Sequence, residues 1–315
     1  MIVTLTPNPS VDRTVSIDVL DRGAVIRATA SREDPGGKGI NVSRALALNG
    51  TPTAAVLPVG GAYGRLMLAL LEPLELDVRP VGIGEPIRAN IAVVEPDGTT
   101  TKINEQGPAL RSDEIDALRQ AVLDASRDAS WVVCCGSLPP GVPDDFYAAM
   151  VQRCHAAGLK VAVDSSGAPM AAALTAAPDL IKPNRIELAE AVGAELGTLG
   201  AVVDAARGLI ATGVGTVVVS LGRDGALLVD ADQVVHAAAS INRPLSTVGA
   251  GDSLLAGYLH GVHAGDDPAS ALSRAVAFGA AAVMLPGSEM PGPDQVAAIR
   301  VSLDRAPDPS RPLTD

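Results

Sequence analysis

The chain has 315 residues, 36 acidic and 24 basic, for a formal charge of −12, and 47% of it is apolar. That length and apolar share exclude a disordered chain and suit one large α/β domain, alone or with an appendage. The acidic balance and an aromatic content of 2% exclude a nucleic-acid groove as the main business, because such a groove needs cations and stacking platforms. Cys134, Cys135 and Cys154 cannot form a disulfide framework, and no Cys-x-x-Cys pair offers a metal site. The N-terminus lacks a basic, apolar leader. The longest uncharged stretch, residues 45–64, is interrupted by Pro52, Pro58, Gly60 and Gly61. No membrane helix is therefore expected, and the chain reads as cytoplasmic.

In chain order, residues 2–6 read as a strand, 41–49 as a helix stopped by Gly50, and 54–59 as a strand. Residues 113–125 predict an amphipathic helix with Ile115, Leu118 and Val122 on one side. Buried-type strands at 131–135 and 159–163 flank a helix through 146–155. A short strand at 180–182 precedes a helix from about 185. Strands at 216–220 and 226–229 flank a hairpin-type connection, Leu221-Gly222-Arg223-Asp224-Gly225. Helices at 253–263 and 269–284 close the series. Short apolar strands alternating with helices predict a mainly parallel sheet covered on both faces, with ligands beyond the carboxyl ends of its strands.

Two segments break this rhythm. Residues 11–19, and 91–94 with 99–103, alternate polar and apolar side chains, which predicts half-exposed antiparallel strands in a small sheet standing off the body as a lid. The expected organisation is one domain over 1–306, with lid strands from about 11–34 and 87–106. A Pro-rich tail, 307–315, is expected to be loosely ordered.

Two glycine clusters invite chemistry. Gly36-Gly37-Lys38-Gly39-Ile40-Asn41-Val42 opens a helix with little side-chain bulk, as a tight turn or a close ligand approach requires. It fits neither the P-loop nor the dinucleotide pattern. Thr247-Val248-Gly249-Ala250-Gly251-Asp252-Ser253 offers converging backbone N–H groups at a helix start, an anion nest. Asp252 is either a helix-start acid or the group that meets a substrate hydroxyl. Polar groups also close five predicted strands: Asp12, residues 136–141, 164–167, 182–187 and 220–222. Together they suggest a polar rim along one sheet edge. Arg88 stands just before a lid strand, either as a solvated arginine or reaching toward a phosphate.

Residues 36–42 and 246–253 resemble the two signatures of the PfkB family of carbohydrate kinases, and the resemblance runs from about residue 4 to 287. It implies a ribokinase-like three-layer αβα core with a small β-sheet lid. The Gly-Gly-Lys-Gly form, and Lys102-Ile103-Asn104-Glu105-Gln106-Gly107-Pro108, are most like the 1-phosphofructokinase and tagatose-6-phosphate kinase branch. Proline is more usual there at the place of Gln106, and the 6-phosphofructokinase branch usually carries glycine at the place of Lys38.

The implied reaction is ATP-dependent phosphorylation of a ketohexose phosphate, fructose 1-phosphate first. Fructose 6-phosphate or tagatose 6-phosphate is the close rival, and a non-catalytic sugar-phosphate sensor or a nucleoside or ribose kinase stands further off. Asp252 would accept the hydroxyl proton with an ordinary carboxylate pKa, and the Gly249, Ala250 and Gly251 amides would stabilise the transferring phosphoryl group. Asp12 and Asn41 would hold sugar hydroxyls, Gly37 would allow backbone approach, and Ser137 would touch the sugar phosphate. Lys38 and Arg88 would bind the phosphate already on the sugar. The resemblance sets Lys182, Asn184, Ser220, Gly222 and Thr247 along the nucleotide, with Glu187 positioning Mg2+ through water. It also admits a monovalent cation near the Asp252 loop and a homodimer paired through the lid.

Overall fold

A computed structural model describes residues 1–241 and 244–314; position 315 of the expected tail lies outside the described residues. The chain opens with β1 (Ile2–Leu5), β2 (Ser10–Ser16), β3 (Ala30–Gly36), α1 (Lys38–Leu48), β4 (Thr53–Val59), α2 (Gly61–Leu71), β5 (Asp77–Gly82), β6 (Arg88–Val94) and β7 (Thr100–Asn104). It continues through α3 (Ser112–Ala125), β8 (Trp131–Cys135), α4 (Phe146–Ala156), β9 (Lys160–Asp164), α5 (Gly167–Leu174), β10 (Leu180–Ile181), α6 (Arg185–Val192), α7 (Leu199–Ala211) and β11 (Thr216–Ser220). It ends with β12 (Ala226–Val229), β13 (Val234–Ala239), α8 (Ala250–Ala264), α9 (Pro268–Ala282), α10 (Pro293–Ala297) and β14 (Val301–Asp304).

Ten strands form the main sheet in the order β14-β13-β12-β11-β10-β9-β8-β1-β4-β5. Neighbours from β5 to β11 pair in parallel, and β12 to β14 continue antiparallel. The two-residue period of a strand separates two cores. Val132 and Cys134 pack with α3, α4 and α7 residues such as Leu118, Phe146 and Val202. Trp131, Val133 and Cys135 pack with Leu46 of α1, Leu255 of α8 and Phe278 of α9. Helices thus cover both faces. β1 lies between β4 and β8, so successive strands leave it in opposite directions. The carboxyl ends of β1, β8 and β9 border the crevice that this reversal opens.

The small sheet has the order β3-β2-β6-β7. β2–β3 and β6–β7 are antiparallel, but β2 and β6 run parallel, Ser10 opposite Arg88 and Asp12 opposite Asn90. The expectation of purely antiparallel strands is corrected: the chain passes through α1, β4, α2 and β5 between β2 and β6, and a long crossover permits parallel pairing. Asp12 lies within β2, inside the strand expected over residues 11–19.

The tail is also corrected. Leu199 donates its N–H to the Arg311 carbonyl at 2.9 Å, Gly200 to Pro309 at 2.9 Å, and Leu313 to Gly197 at 3.0 Å, and Leu313 packs against the core. Proline removes a donor but keeps its carbonyl, so a Pro-rich segment can still dock on the exposed N–H groups at the start of α7. Among the described residues, no helix is long and apolar enough to cross a membrane.

Candidate active site

α1 and α8 begin alike. Gly37 (φ 126°) precedes α1 and Gly249 (φ 77°) precedes α8, both in conformations that favour glycine. Each helix therefore starts three residues before its expected first residue, at Lys38 and Ala250, with Gly39 and Gly251 inside the first turn. This puts Asn41 and Asp252 on adjacent helix starts. The Asn41 amide donates to Asp252 Oδ2 at 2.9 Å, and Asp252 is 8% exposed.

Asp252 belongs to a buried charge cluster. Asp164, fully buried at the end of β9, receives Lys38 Nζ at 2.8 Å on Oδ1 and faces Lys182 Nζ at 3.3 Å from Oδ2. Burial would raise the Asp164 carboxyl, but the Lys182 and Lys38 ammoniums hold it below the usual carboxylate range. Burial alone would lower the Lys38 ammonium; Asp164 and Glu187 outweigh it and raise it instead. Asp252 behaves oppositely. Burial, then the Asp164 charge, push its carboxyl up to about 6, against the pull of Asn41, Lys38 and Lys182. The expectation of an ordinary carboxylate pKa is thereby corrected.

The nucleotide-side positions adjoin this cluster. A Cβ on Gly251 would sit 3.4 Å from Lys182 Nζ, so that ammonium lies beside the glycine backbone of the nest. Thr247 closes the preceding turn through its carbonyl, which accepts from Ala250. Asn184 and Glu187 form a capping box: Asn184 Oδ1 accepts from the Glu187 N–H, and Glu187 Oε2 from the Asn184 N–H, both at 2.8 Å. Glu187 Oε1 faces Lys38 Nζ at 3.7 Å. Ser220 bridges to Asn184 across the sheet, and Gly222 takes the left-handed conformation, φ 58°.

A second polar group lines the edge of the small sheet. Ser10 and Asp12 share one face of β2, and the pairing register brings Arg88 and Asn90 of β6 beside them. Asp12 Oδ1 accepts from Ser10 at 2.6 Å and from Asn90 at 3.0 Å, and burial raises its carboxyl. Arg88 donates to the Glu105 carbonyl at 2.8 Å and the Asn8 carbonyl at 3.1 Å, and burial lowers its guanidinium. Asn8 donates to the Gln106 carbonyl at 3.0 Å and to Ser137 Oγ at 3.2 Å. Arg88 Nε, Asn8 Oδ1 and Asn90 Oδ1 are buried with no partner among the described residues.

The structure thus gathers Asn41, Asp252, Lys38, Lys182 and Glu187 on one side, and Asp12, Arg88 and Ser137 on the other. Lys38 and Arg88 have different partners in the structure. Lys38 is the first residue of α1 and reaches across to the end of β9, whereas Arg88 lies on the small sheet. Asp164 was marked only as a polar strand end, and Asn8 and Asn90 were not marked as candidates. The signals were a carboxylate closing an apolar run, an asparagine between two prolines, and a same-face neighbour of Arg88 two residues on. A separate cleft of about 1070 Å³, walled by Ala238, Ile241, Ala281, Met284 and Leu285, is lined by none of these groups.

Comparison with known proteins identifies the architecture. The family model described as pfkB family carbohydrate kinase matches residues 6–294. A 1-phosphofructokinase of Rhodobacter capsulatus is 36% identical over 300 residues, covering 95% of each chain. The ATP-dependent 6-phosphofructokinase isozyme 2 of Escherichia coli is 35% identical over 308 residues, covering 96% of this chain and 99% of its own. The crystal structure of Escherichia coli phosphofructokinase-2 in complex with potassium superposes with a TM-score of 0.89 at 33% identity, covering 94% of this chain and 96% of that one. The chain belongs to the pfkB family of carbohydrate kinases, and it is an ATP-dependent sugar-phosphate kinase of ribokinase-like fold.

Proposed function

We propose that the substrate is a ketohexose phosphate, fructose 1-phosphate before others, converted to fructose 1,6-bisphosphate. One observation carries the reading. A buried carboxylate, Asp252, held by Asn41 beside a two-lysine cluster, occurs in the same chain as a sheet edge bearing a guanidinium and unpartnered amide oxygens. The edge suits a phosphorylated sugar: Arg88 for its phosphate, with Ser137, Asn8, Asp12 and Asn90 for phosphate oxygens and hydroxyls. Asp252 takes the proton of the attacking hydroxyl as the oxygen–phosphorus bond forms and ADP leaves. The Gly249, Ala250 and Gly251 amides, with Lys182 beside Gly251, face the charge on the transferring phosphoryl group. Lys38, bound to Asp164 and close enough to lower Asp252, serves that group and not the sugar phosphate.

ATP is the second substrate, along Lys182, Asn184, Ser220, Gly222 and Thr247. No three metal-ligating side chains converge among the described residues. Mg2+ keeps several waters and takes one or two carboxylates plus phosphates, so Glu187 Oε1 and Asp164 fit it through water. Bound there, it would offset phosphate charge. A monovalent cation near the Asp252 loop is proposed on the potassium complex of the Escherichia coli relative. Ile103 of β7, and Val19 and Val25 of the β2–β3 connection, are exposed at 57%, 61% and 89%, which supports a homodimer paired through the lids.

Phosphorylation of fructose 6-phosphate is the second reading, favoured by the Escherichia coli relative. Initial rates with Mg-ATP and, in parallel, fructose 1-phosphate, fructose 6-phosphate, tagatose 6-phosphate and free fructose test both. Fructose 1-phosphate is expected to lead in kcat/KM, with Asp252→Asn inactive. A leading 6-phosphate keeps the base and transfers the substrate. No turnover of any sugar phosphate, with the variant equal to the parent, leaves a sensor.

A further inference from the structure

The turn after β11 carries Gly222, and its backbone closes on itself: Leu221 donates to the Gly225 carbonyl at 2.8 Å, and Asp224 to Leu221 at 3.1 Å. Within this turn Asp224 is 8% exposed. A buried carboxylate needs partners, because unpaired charge away from water is costly. Those of Asp224 come from the far end of the chain. Arg311 Nη2 donates to Oδ1 at 3.1 Å, and the Thr314 N–H and hydroxyl donate to Oδ2 at 2.7 Å and 2.8 Å. His236 of β13 binds the Asp224 carbonyl at 2.6 Å through Nε2, so that nitrogen carries the proton. An apolar residue at 224 would close the same turn without a tail. With Asp224 in place, the turn is tied to the docked C-terminal segment through three hydrogen bonds.

We infer that the C-terminal segment is a positioning element for nucleotide binding, with Arg311 and Thr314 gripping Asp224 so that Gly222 is held at the nucleotide. This rests on the proposed placing of Ser220 and Gly222 along ATP. Neither Arg311 nor Thr314 reaches the reacting groups, so both act through Asp224. The segment is anchored independently of this grip: its backbone bonds to residues 197–200 do not involve the Arg311 or Thr314 side chains. Removing the side chains takes away two of the three bonds to Asp224 and leaves the Thr314 N–H bond and the backbone docking in place.

The test is Arg311→Gln with Thr314→Val in the full chain, beside Thr314→Ser as the conservative variant. KM for ATP is expected to rise five- to tenfold, with kcat and KM for the sugar phosphate near those of the parent; Tm falls somewhat, because Asp224 stays buried with fewer partners. Thr314→Ser, which keeps the hydroxyl, should match the parent. An unchanged KM for ATP overturns the inference. So does a parallel rise of both KM values, which marks a merely structural role. Direct titration with ATP, without sugar, keeps the two readings apart. If the parent turns over no sugar phosphate, the proposed function fails, yet weaker ATP binding by the double variant still supports the grip. If the parent is active and the variant binds ATP equally well, the grip alone fails.

Discussion

Asp252→Asn separates the chemical need for a buried base from its thermodynamic burden. The carboxyl sits at about 6 in the folded chain against an ordinary 3.8, chiefly through burial and then the neighbouring Asp164 charge. Each tenfold change in proton affinity corresponds to about 1.36 kcal/mol, so keeping this group ionised costs the fold roughly 3 kcal/mol. The folded pKa is the raised one. The cost is therefore fully present above about pH 6 and is relieved as pH falls toward 3.8. Replacing the carboxylate by an amide removes it, while the remaining side-chain oxygen still accepts from Asn41. The variant should melt higher than the parent by ~5 °C at pH 8 for a chain of this size, with the gain fading near pH 4. Its kcat should fall by about 10²- to 10⁴-fold, the usual worth of a general base. The parent's kcat/KM should fall as pH drops through about 6, because the base must be ionised. Calorimetric melting across pH 4–8 and a pH–rate profile check this. A Tm difference that does not change with pH, or an acid limb near 4, would refute the reasoning.

Lys38→Met removes a charge that lowers the Asp252 carboxyl and binds Asp164. The acid limb of kcat/KM should move to higher pH and kcat should fall at least about tenfold; a limb that stays in place contradicts the role given to Lys38. Arg88→Met should raise KM for the sugar phosphate about 10- to 100-fold, the worth of a charge-assisted hydrogen bond, and leave turnover of free sugar unaltered. Equal losses on both sugars would place the phosphate elsewhere. A Cβ on Gly36 would overlap the Asp12 carboxylate. Gly36→Ala should therefore turn Asp12 away from Ser10 and Asn90 and raise the sugar KM about tenfold with little change in Tm; an unchanged KM would remove Asp12 from the site.

The parallel core was legible where burial is complete on both faces. Residues 131–135, an apolar run, form a strand with those bounds. β3 was legible only as the end of the lid segment 11–34 and not as a strand with bounds of its own: Ala30–Gly36 is mostly exposed and polar, and β2 sets its pairing. β5 carries Pro80, which weakens a strand reading, yet it lies at the sheet edge, where a missing N–H is tolerated. α7 is a different case, since Leu199, Val202, Val203 and Ala206 do follow the helical period and were passed over. Local pattern marked Asp252 at a glycine-rich helix start, whereas Asn41 was marked through the family resemblance. The partner of Lys38 stands 126 residues away, and the grip on Asp224 spans 87 and 90. Such pairings come from strand order, which local periodicity does not encode.

Charge balance then explains why an acidic protein can work on two phosphorylated substrates. The cluster around Asp252 holds two ammoniums, Lys38 and Lys182, and three carboxylates, Asp164, Glu187 and Asp252, so with all of them ionised it carries one net negative charge before any ligand arrives. The lysines are engaged with Asp164, and their charge is largely matched. A triphosphate brings more negative charge than the two ammoniums and the nest amides can offset. On the proposed function, a divalent ion would enter with the nucleotide and offset the remaining charge. Apparent metal affinity should accordingly follow nucleotide concentration. The sugar side differs in kind. Arg88 faces its acceptors through two carbonyls and keeps Nε unpartnered, so its charge remains available to a phosphate that arrives without a metal. The −12 of the whole chain is spread over exposed acids and screened within about 8–10 Å, whereas these few buried cations act at hydrogen-bond distance, where the local term prevails.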